Sequence, residues 1–368
     1  MISNIRLQNF RSYGDASFEF EDGVNIVVGP NASGKTNLLE AVTVLTGGSS
    51  FKARDPGLIK FDRSWARLDG QFDSHKRTIK LVNEDTVMKV YELDDKPFKR
   101  LSLERTVPAV LFEPNHLQLI TRGPKTRREF FDDILERTKP GFKALSAKYR
   151  RSLAQRNALL KIGPTKAHKQ LFAWNIRLSE LAAQIVAARL ELIDDINKTI
   201  SKAYSNIANR RSKVKLIYDS AVLQGSQRLQ GQSLQQGLSL QQYSSRLLSR
   251  LESGVQDDFR RGFTGHGPHR EDIIIWLNAQ PAAATASRGE MRSLLLALKI
   301  FELSLVEKTR QQRPIFLLDD VFSELDSVRR RHLVGYLKDY QIIITTTDAD
   351  TVLEYFSKSA HLLPLYKK

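Results

Sequence analysis

Eight consecutive residues near the start of the chain have the types and spacing needed to hold a phosphate chain. They fit G-x-x-x-x-G-K-[ST] at every fixed position and are Gly29, Pro30, Asn31, Ala32, Ser33, Gly34, Lys35 and Thr36. Glycines allow backbone N–H groups to turn inward around the α- and β-phosphates. Lys35 supplies a charge to the β- and γ-phosphates, and the Thr36 hydroxyl is a ligand for Mg²⁺. An apolar strand before the motif and an amphipathic helix after it complete the context, so a nucleotide site is predicted.

Two adjacent carboxylates near the other end of the chain complement this motif. Asp319 and Asp320 end an apolar run that begins at Ile315. One acid at a strand end is common and usually marks a turn. Two in a row suit Mg²⁺ binding by Asp319 and orientation or deprotonation of the attacking water by Asp320. Because adjacent side chains of a strand point to opposite faces, the second role requires the strand to end at this position.

Two further segments have polar residues with more than one interpretation. Ser287 and Gly289 precede a strongly apolar helix, whose N-terminus would bind an anion or be a plain helix cap. His266 and His269 lie in the glycine-containing stretch 263–272. No histidine or carboxylate follows them at a metal-ligand spacing, so we expect no zinc site.

The net charge of +16 comes entirely from the middle of the chain. Residues 1–136 carry 20 basic and 20 acidic side chains, and residues 251–368 carry 16 of each. Residues 137–250 carry 21 basic and 5 acidic side chains, and Arg137 to Ser179 includes 11 Lys or Arg and no acid. A solvated helical face is the ordinary explanation of such a run, but solubility alone is served by mixed signs. A polyanionic partner explains it better.

The composition excludes several classes of protein. The chain of 368 residues has no cysteine, which rules out disulfides, thiolate metal sites and cysteine nucleophiles. The first 15 residues have no apolar signal core, and no apolar run reaches membrane-spanning length. We therefore expect a soluble cytoplasmic protein with no membrane partner.

Apolar periodicity predicts an α/β fold interrupted by helices. Strand patterns occur at 4–10, 16–21, 24–28, 65–72, 77–83, 86–93, 213–219, 272–278, 314–320 and 341–348. Helical patterns follow the glycine loop, extend from about Lys125 to Asn209 with a break at 163–164, and resume near Tyr243 and after Ser287. The Gln/Ser/Gly-rich stretch 224–245 predicts a surface loop that enters the helix near Tyr243.

One helical segment has apolar residues at alternating spacings of three and four. They are Leu171, Trp174, Leu178, Leu181, Ile185, Ala188 and Leu192. This seam predicts a short antiparallel two-helix arm with residues 141–161 as the partner, although an ordinary core-facing helix has the same spacing. We therefore predict a discontinuous head domain at 1–124 and 251–368 and a basic helical arm domain at 125–250.

Taken together, nine segments resemble one known family from end to end. They are LQNFRSY, GPNASGKTNLLEAV, SFKARDPGLIKF, FEPNHLQLITRGPKTRREFFD, YRRSLAQRNALLK, GPHREDI, SRGE, LLDDVFSELD and TTTD. The chain resembles the ABC-type ATPase heads of the SMC-like family, and within it the RecF group of bacterial recombination and repair proteins. The resemblance implies an ABC-type P-loop head with a helical arm inserted between its Walker A and Walker B motifs.

The resemblance also implies the cofactors ATP and Mg²⁺ and a role for each motif. Residues 29–36 would be the Walker A loop, with Asp319 and Asp320 as the Walker B pair. Residues 113–115 would lie in the Q-loop region, and Thr346 or Thr347 would be the switch residue. Asp326 would be the D-loop acid.

A signature motif that acts on the γ-phosphate bound to a second subunit is also implied, and its residues would be Ser287, Arg288, Gly289 and Glu290. The family pattern ends this motif in glutamine, so Glu290 is a departure. Its carboxylate would repel an incoming γ-phosphate unless Arg288 or Arg292 offsets the charge, which affects the expected strength of dimerisation.

The function implied is a weak ATPase whose ATP-driven homodimer clamps duplex DNA at gaps and opens on slow hydrolysis. It would support recombinase loading in recombinational repair and replication restart, with RecR-type and RecO-type partners. The arm would contact DNA phosphates, and its candidate residues are Lys148, Arg150, Arg151 and Arg156.

Two other classes remain as alternatives. An ATP-dependent nuclease of the overcoming-lysogenization type needs an acidic metal-binding domain after the ATPase, and only about 40 residues follow Asp326. A transporter ATPase needs a neutral coupling surface and a membrane partner, which the concentrated charge disfavours. We expect no divalent-dependent nicking of plasmid DNA, which separates these classes.

Overall fold

The computed structural model describes residues 1–223, 239–356 and 360–366. The strands are β1 (Ile2–Phe10), β2 (Tyr13–Glu19), β3 (Val24–Val28), β4 (Trp65–Phe72), β5 (His75–Asn83), β6 (Val87–Leu93), β7 (Lys96–Phe98), β8 (Ala109–Phe112), β9 (Val214–Asp219), β10 (Asp272–Leu277), β11 (Gln280–Pro281), β12 (Ile315–Asp319), β13 (Ile342–Thr346) and β14 (His361–Pro364). The helices are α1 (Lys35–Gly47), α2 (Pro124–Thr138), α3 (Phe142–Ile162), α4 (Pro164–Ala208), α5 (Leu240–Ser253), α6 (Val255–Arg261), α7 (Ala282–Thr285), α8 (Arg288–Arg310), α9 (Val321–Glu324), α10 (Ser327–Leu337) and α11 (Asp350–Leu353). Most of the loop predicted at 224–245 lies outside the described residues.

The chain divides into two compact units. The first unit consists of Met1–Leu117 and Glu302–Lys368, and the second unit consists of Gln118–Phe301. The predicted boundaries at 124/125 and 250/251 therefore differ from those of the structure, because residues 251–301 pack with the second unit. By sequence, the first unit has 26 basic and 26 acidic side chains, whereas the second has 31 basic and 15 acidic, the whole net charge of +16.

A parallel sheet forms the centre of the first unit. Its strand order is β14-β3-β13-β12-β8, and every neighbouring pair is parallel. β12 and β13 are buried at every position, as expected for strands covered on both faces. Because the strands are parallel, their carboxyl ends share one edge of the sheet. The polar residues that follow β3, β8, β12 and β13 are collected along this edge.

A second, antiparallel sheet of the first unit has the order β2-β1-β4-β5-β6-β7. Alternate residues of β4 are buried, as a half-covered sheet requires. α1 packs against strands of both sheets, and its side chains Leu38, Leu39, Val42 and Leu45 are fully buried in the same hydrophobic core. This packing holds the start of α1, and with it the phosphate-binding motif, at the carboxyl edge of the parallel sheet.

The second unit is built on α4, a helix of 45 residues that is about 67 Å long. α3 packs along α4 after a turn at Gly163 and Pro164, which confirms the predicted helix pair. Six of the seven seam residues are buried, and Trp174 is half-buried. α4 also packs against α5 and β9, so the seam belongs to the core of the second unit as well as to a helix pair.

A small antiparallel sheet, β11-β10-β9, completes the second unit. Each of the ten predicted strands has a counterpart, but β10, which we assigned to the head domain, lies in the second unit. It pairs with β9 through six residues, from Asp272 opposite Asp219 to Leu277 opposite Val214. Within the described part of the chain, no helix is long and apolar enough to cross a membrane.

Candidate nucleotide site and basic unit

The phosphate-binding motif forms the loop between β3 and α1. Gly29 has to be glycine, because a Cβ there would lie 2.5 Å from the carbonyl oxygen of Leu365. Gly34 has φ 104°, a left-handed conformation that glycine adopts without a steric cost. The first N–H groups of α1 lack intrahelical acceptors, as in any helix, so they are available at the loop. The sequence motif has thus folded into an anion-binding turn.

Two side chains of the loop show how it would hold a ligand. Lys35 is 5% exposed, and its Nζ donates to the carbonyl oxygens of Gly29 at 2.8 Å and Pro30 at 3.2 Å. Ser33 Oγ is buried and has no hydrogen-bond partner among the described residues. A buried hydroxyl without a partner costs about 1–3 kcal/mol. A ligand oxygen inside the loop would supply that partner.

Residues from both ends of the chain meet beside this loop. Thr36 Oγ1 donates to Asp319 Oδ1 at 3.0 Å across 283 positions of sequence. Thr345 Oγ1, on the neighbouring strand β13, donates to the same carboxylate oxygen at 2.8 Å. It also accepts a bond of 2.9 Å from the backbone N–H of Asp320. Thr345 therefore positions the Asp319 carboxylate and the Asp320 backbone, a role that we did not predict, although the TTT run at the end of a buried strand offered a signal.

Asp320 occupies a strained backbone position immediately after β12. Its φ is 52°, so the strand ends where the sequence analysis required it to end. Burial raises the pKa of the Asp320 carboxyl, Lys35 opposes this, and the nearby Asp319 and Glu324 add to it. A raised pKa makes a carboxylate a stronger base, which is the direction that proton transfer from water requires.

The turn between β1 and β2 supports the phosphate loop from outside. Tyr13 Oη donates to the Gly34 carbonyl oxygen at 3.0 Å, and Asn37 Nδ2 donates to Ser12 Oγ at 3.0 Å. Burial raises the pKa of the Tyr13 hydroxyl, so it remains a donor at neutral pH. Sequence reasoning missed these contacts, because spacing along the chain gives no sign that this hairpin packs on the loop.

The other predicted positions along the sheet edge have local partners. The Glu113 N–H, just after β8, donates to His116 Nδ1 at 3.1 Å. Thr346 Oγ1 donates to the Asp348 carbonyl oxygen at 3.0 Å, and Thr347 is exposed. Both segments lie at the carboxyl edge, where ligands of open parallel sheets bind. Their roles as Q-loop and switch stay predictions.

The residues of this edge fit a nucleotide with Mg²⁺. The described residues include no group of three or more His, Asp or Glu side chains suited to a metal ion. Thr36 and Asp319, which are already within hydrogen-bond distance of each other, offer the hard oxygen ligands that Mg²⁺ prefers when phosphates supply the rest. The glycine turn, the hydroxyl of Ser33 and the ammonium of Lys35 surround the place of the phosphates.

Asp326, the predicted D-loop acid, caps α10. Its Oδ1 accepts from the Arg329 N–H at 2.9 Å, and its carboxylate is also paired with the Arg329 guanidinium. About half of the carboxylate side chain is exposed. The cap explains this residue structurally, and the D-loop role stays a prediction.

The predicted signature residues begin α8 within the second unit. Ser287 Oγ accepts from the Glu290 N–H at 3.2 Å, and Glu290 Oε2 accepts from the Ser287 N–H at 2.9 Å. This reciprocal pair is a capping box, so these residues do cap the helix, which is one of the two interpretations of the sequence. Their role as a signature motif stays a prediction. These bonds to Ser287, together with Arg210 at 3.9 Å, hold the pKa of Glu290 below its usual range. The carboxylate is thus turned back onto its own helix end.

The four candidate DNA contacts on α3 fall into two groups. Lys148, Arg150 and Arg151 are exposed, and no carboxylate of the described residues lies within ion-pair distance of them. Arg156 is fully buried, and its guanidinium is bonded to Asp258 at 2.7 Å. Our prediction that Arg156 binds DNA was wrong, because helical periodicity turns this residue into the core. Its charge holds α3 to α6.

The GPHRED segment forms a buried polar network. His269 Nδ1 lies 2.7 Å from Tyr149 Oη, and its Nε2 lies 3.1 Å from the Thr264 carbonyl oxygen. Burial lowers the pKa of His269 to about 4, so the ring is neutral at physiological pH. Glu271 accepts from the Tyr243 hydroxyl at 2.8 Å. These contacts join α3, α5 and the start of β10.

Known proteins with this sequence pattern are DNA-repair proteins. Residues 1–362 match the family described as RecF/RecN/SMC N terminal domain. The DNA replication and repair protein RecF of Heliobacterium modesticaldum is 32% identical over 360 residues, which are 94% of this chain and 92% of that protein. RecF of Tropheryma whipplei is 33% identical, with 95% and 92% covered.

Solved structures agree with the sequence relatives. The recombination mediator protein RecF with ATP, from the RecFOR pathway, superposes with a TM-score of 0.83 at 28% identity and covers 94% of this chain and 92% of its own. An Smc head bound to the C-terminal winged-helix domain of ScpA has a TM-score of 0.50 at 16% identity, with 96% and 91% covered, and shows the fold alone. The fold is therefore that of an SMC-like ABC-type ATPase head, as predicted. The chain belongs to the RecF family of DNA replication and repair proteins.

Proposed function

We propose that the chain is an ATP-gated clamp for duplex DNA. The observation that carries this proposal is that the phosphate loop and the net positive charge lie in different units. The first unit has no net charge and contains a complete phosphate loop next to its carboxylate pair, whereas the second unit has the entire charge of +16. A polyanion is attracted to the second unit without competing for the nucleotide loop of the first.

The residues of the first unit divide the chemistry among them. Bound ATP·Mg²⁺ would supply the scissile phosphoanhydride and neutralise part of its charge. Lys35 and the N-terminal amides of α1 bind the phosphates, while Thr36 and Asp319 hold the metal. Asp320, fixed through its backbone N–H by Thr345, orients the water and accepts its proton. Aspartate is shorter by one methylene than the glutamate common at this position in the wider family, so we expect slow turnover.

Dimerisation would follow from the signature helix. In the proposed clamp, Ser287, Gly289 and the N-terminus of α8 bind the γ-phosphate held by the other subunit. Glu290 is compatible with this role because its carboxylate is committed to the Ser287 N–H and faces Arg210. Because the Glu290 carboxylate is turned away from the phosphate, its replacement of glutamine should weaken the dimer less than a carboxylate that points at the phosphate would weaken it.

The DNA contacts would come from exposed cations of the second unit, among them Lys148, Arg150 and Arg151. Phosphate contacts of this kind position a duplex without reading its bases. RecF relatives carry the names of DNA replication and repair, and solved relatives are assigned to the RecFOR pathway. We propose the same for this chain: gapped duplex DNA as the ligand and RecR-type and RecO-type proteins as partners in the cytoplasm.

The experiment is a titration of a labelled duplex oligonucleotide, followed by fluorescence anisotropy with and without Mg-ATP. Asp320→Asn protein stalls hydrolysis and keeps the closed state. We expect Mg-ATP to tighten binding at least tenfold and Lys35→Ala, added to Asp320→Asn, to abolish that gain. Lys52→Ala, which removes an exposed lysine of the first unit, is the matched control. Equal DNA affinity with and without ATP would contradict the gate.

A further inference from the structure

A cleft of about 640 Å³ lies in the second unit, where α4 ends and the chain turns into β9. Three cations line it, Lys202, Arg211 and Lys213, together with three serines, Asn278 and Ala279. None of these lining residues is acidic, and none is aromatic. The cleft therefore offers charge and hydrogen bonds to an anion but no surface on which a base would stack.

The cations project from a wall that local hydrogen bonds make rigid. Ser201 Oγ donates to the Val214 carbonyl oxygen at 2.9 Å, which ties α4 to β9. Ser205 Oγ donates to the Ser212 carbonyl oxygen at 3.2 Å and ties the loop to the same helix. The Lys213 N–H donates to Asn278 Oδ1 at 3.0 Å, which adds the turn between β10 and β11. Three segments of the chain thus form a fixed frame.

The three cations of the cleft are not neutralised within the described part of the chain. Lys202, Arg211 and Lys213 are exposed, and no described carboxylate lies within ion-pair distance of them. Elsewhere in the second unit, cations such as Arg127 and Arg189 are paired with Asp272 and Asp132. Uncompensated like charges around one cleft repel one another, and a bound anion relieves that repulsion.

The wall of the cleft is also connected to the signature helix. Arg210 directly precedes the lining residue Arg211, and its guanidinium lies 3.9 Å from Glu290 Oε1. The turn residues Asn278 and Ala279 have φ of 49° and 65°, and the chain runs from them through α7 to Ser287. Ala279 holds a left-handed conformation that L-residues rarely adopt. Two routes thus lead from the cleft to the signature residues, one through Arg210 and one through the turn.

We infer that this cleft binds a phosphate of the nucleic-acid backbone and that Arg210 links its occupancy to the signature helix. The inference rests on the proposed function for the ligand and for the role of the signature residues. A phosphodiester fits the lining because it needs cations but no base pocket. A phosphate bound beside Arg211 would also hold the neighbouring Arg210 in place, so that its charge offsets Glu290 at the end of the helix that faces the other subunit's ATP.

The first test compares Lys202→Ala/Lys213→Ala with the control Lys308→Ala/Lys338→Ala. Both variants lose two exposed lysines, the control from the first unit. Each is titrated with the duplex oligonucleotide from 50 to 200 mM salt, without nucleotide. Because each phosphate contact contributes about −0.9 to the log–log salt slope, loss of this one contact should make the slope of the cleft variant about 0.9 shallower and weaken binding at least tenfold near 100 mM salt. An unchanged slope would overturn the cleft as a DNA site.

The second test addresses the link through Arg210. Arg210→Ala, in the Asp320→Asn background, should lose most of the gain caused by Mg-ATP, with the gain measured relative to the nucleotide-free affinity of the same variant. A gain equal to that of the Asp320→Asn protein with Arg210 intact would overturn the link. If the Asp320→Asn protein itself shows no gain, the gated clamp has failed, while the nucleotide-free salt slopes still decide the cleft. Circular dichroism and thermal unfolding confirm that each variant is folded.

Discussion

The two units of the chain use charge in opposite ways. In the first unit, equal numbers of acids and bases leave no net charge, and the predicted site residues lie at one edge of a sheet, most of them buried or half-buried. In the second unit the same charged residue types are divided between the core and the surface: Arg156 and Arg189 are buried, whereas Lys148 and Arg151 are exposed. In the first unit the predicted site is marked by its position at the sheet edge. In the second unit, exposure separates the candidate DNA contacts from the cations of the core.

The largest expected effect of a substitution is at the buried Arg156. Arg156→Ala leaves Asp258 buried and unpaired, so we expect a loss of about 3–5 kcal/mol in the free energy of unfolding. Urea unfolding followed by circular dichroism measures it. Arg151→Ala, on the exposed face of the same helix, should change stability by less than about 0.5 kcal/mol and weaken DNA binding instead. Equal stability of the two variants would contradict the division into buried and exposed cations.

In the first unit, replacement of Lys35 should impair ATP turnover and leave nucleotide-free DNA binding intact. Lys35→Ala removes the charge that would stabilise the phosphates, so we expect ATP turnover to fall by about 100- to 1,000-fold. Nucleotide-free DNA binding, which belongs to the second unit, should stay within twofold. A colorimetric phosphate assay and the anisotropy titration measure the two quantities. Loss of DNA binding without nucleotide would show that the two functions are not divided between the units.

The buried imidazole of His269 should make the second unit sensitive to acid. Its pKa is lowered to about 4 in the fold and is about 6.5 in the unfolded chain, so the unfolded chain binds the proton first as the pH falls. Stability is therefore complete above pH 6.5 and decreases between pH 6.5 and 4, by up to about 3 kcal/mol. Urea unfolding at a series of pH values should show this slope, and His269→Gln should remove it. A slope that persists in His269→Gln would assign the effect to another group.

The smallest effect is expected at Asp320. Burial raises the pKa of this carboxyl, so the charged form is less favourable in the folded than in the unfolded state above that pKa. Asparagine removes the charge and tolerates the left-handed φ of 52°. Asp320→Asn should therefore raise Tm by about 1–3 °C at pH 7.5 and have a smaller effect at pH 4, while ATP hydrolysis falls. Calorimetry checks it; a lower Tm at pH 7.5 would mean that the carboxylate stabilises the fold.

The two units also differ in how much of them could be predicted. The phosphate loop was readable because its chemistry is contained in eight adjacent residues. Asp319 and Asp320 were readable because a buried strand ends there. Arg156 was misassigned because a count of charges does not distinguish the two faces of a helix. Its neighbours Arg150 and Arg151 are exposed on the same helix, and only the packing of α3 against α4 and α6 separates them.

Strand existence was predicted well, whereas strand partnership was not. β10 has the apolar pattern of a core strand, but its pairing with β9 depends on contacts that local sequence does not encode. β8 and β14 have only four residues each, too few for a periodic signal, although both belong to the central sheet. The contact between Thr345 and Asp319 can be inferred only once β12 and β13 are known to be neighbours. The missing information was thus tertiary for β10 and Thr345, whereas β8 and β14 were too short to give a local signal.

The most direct test of the account is reciprocal coupling between the two units. If ATP tightens DNA binding by some factor, DNA must tighten ATP binding by the same factor, because the coupling free energy belongs to both ligands. In Asp320→Asn protein, the affinity for a fluorescent ATP analogue would be measured by titration with and without saturating duplex DNA. We expect DNA to improve this affinity by the factor that ATP gives for DNA binding in the anisotropy experiment, and Lys202→Ala/Lys213→Ala to reduce this improvement. An ATP affinity that DNA leaves unchanged would contradict the clamp.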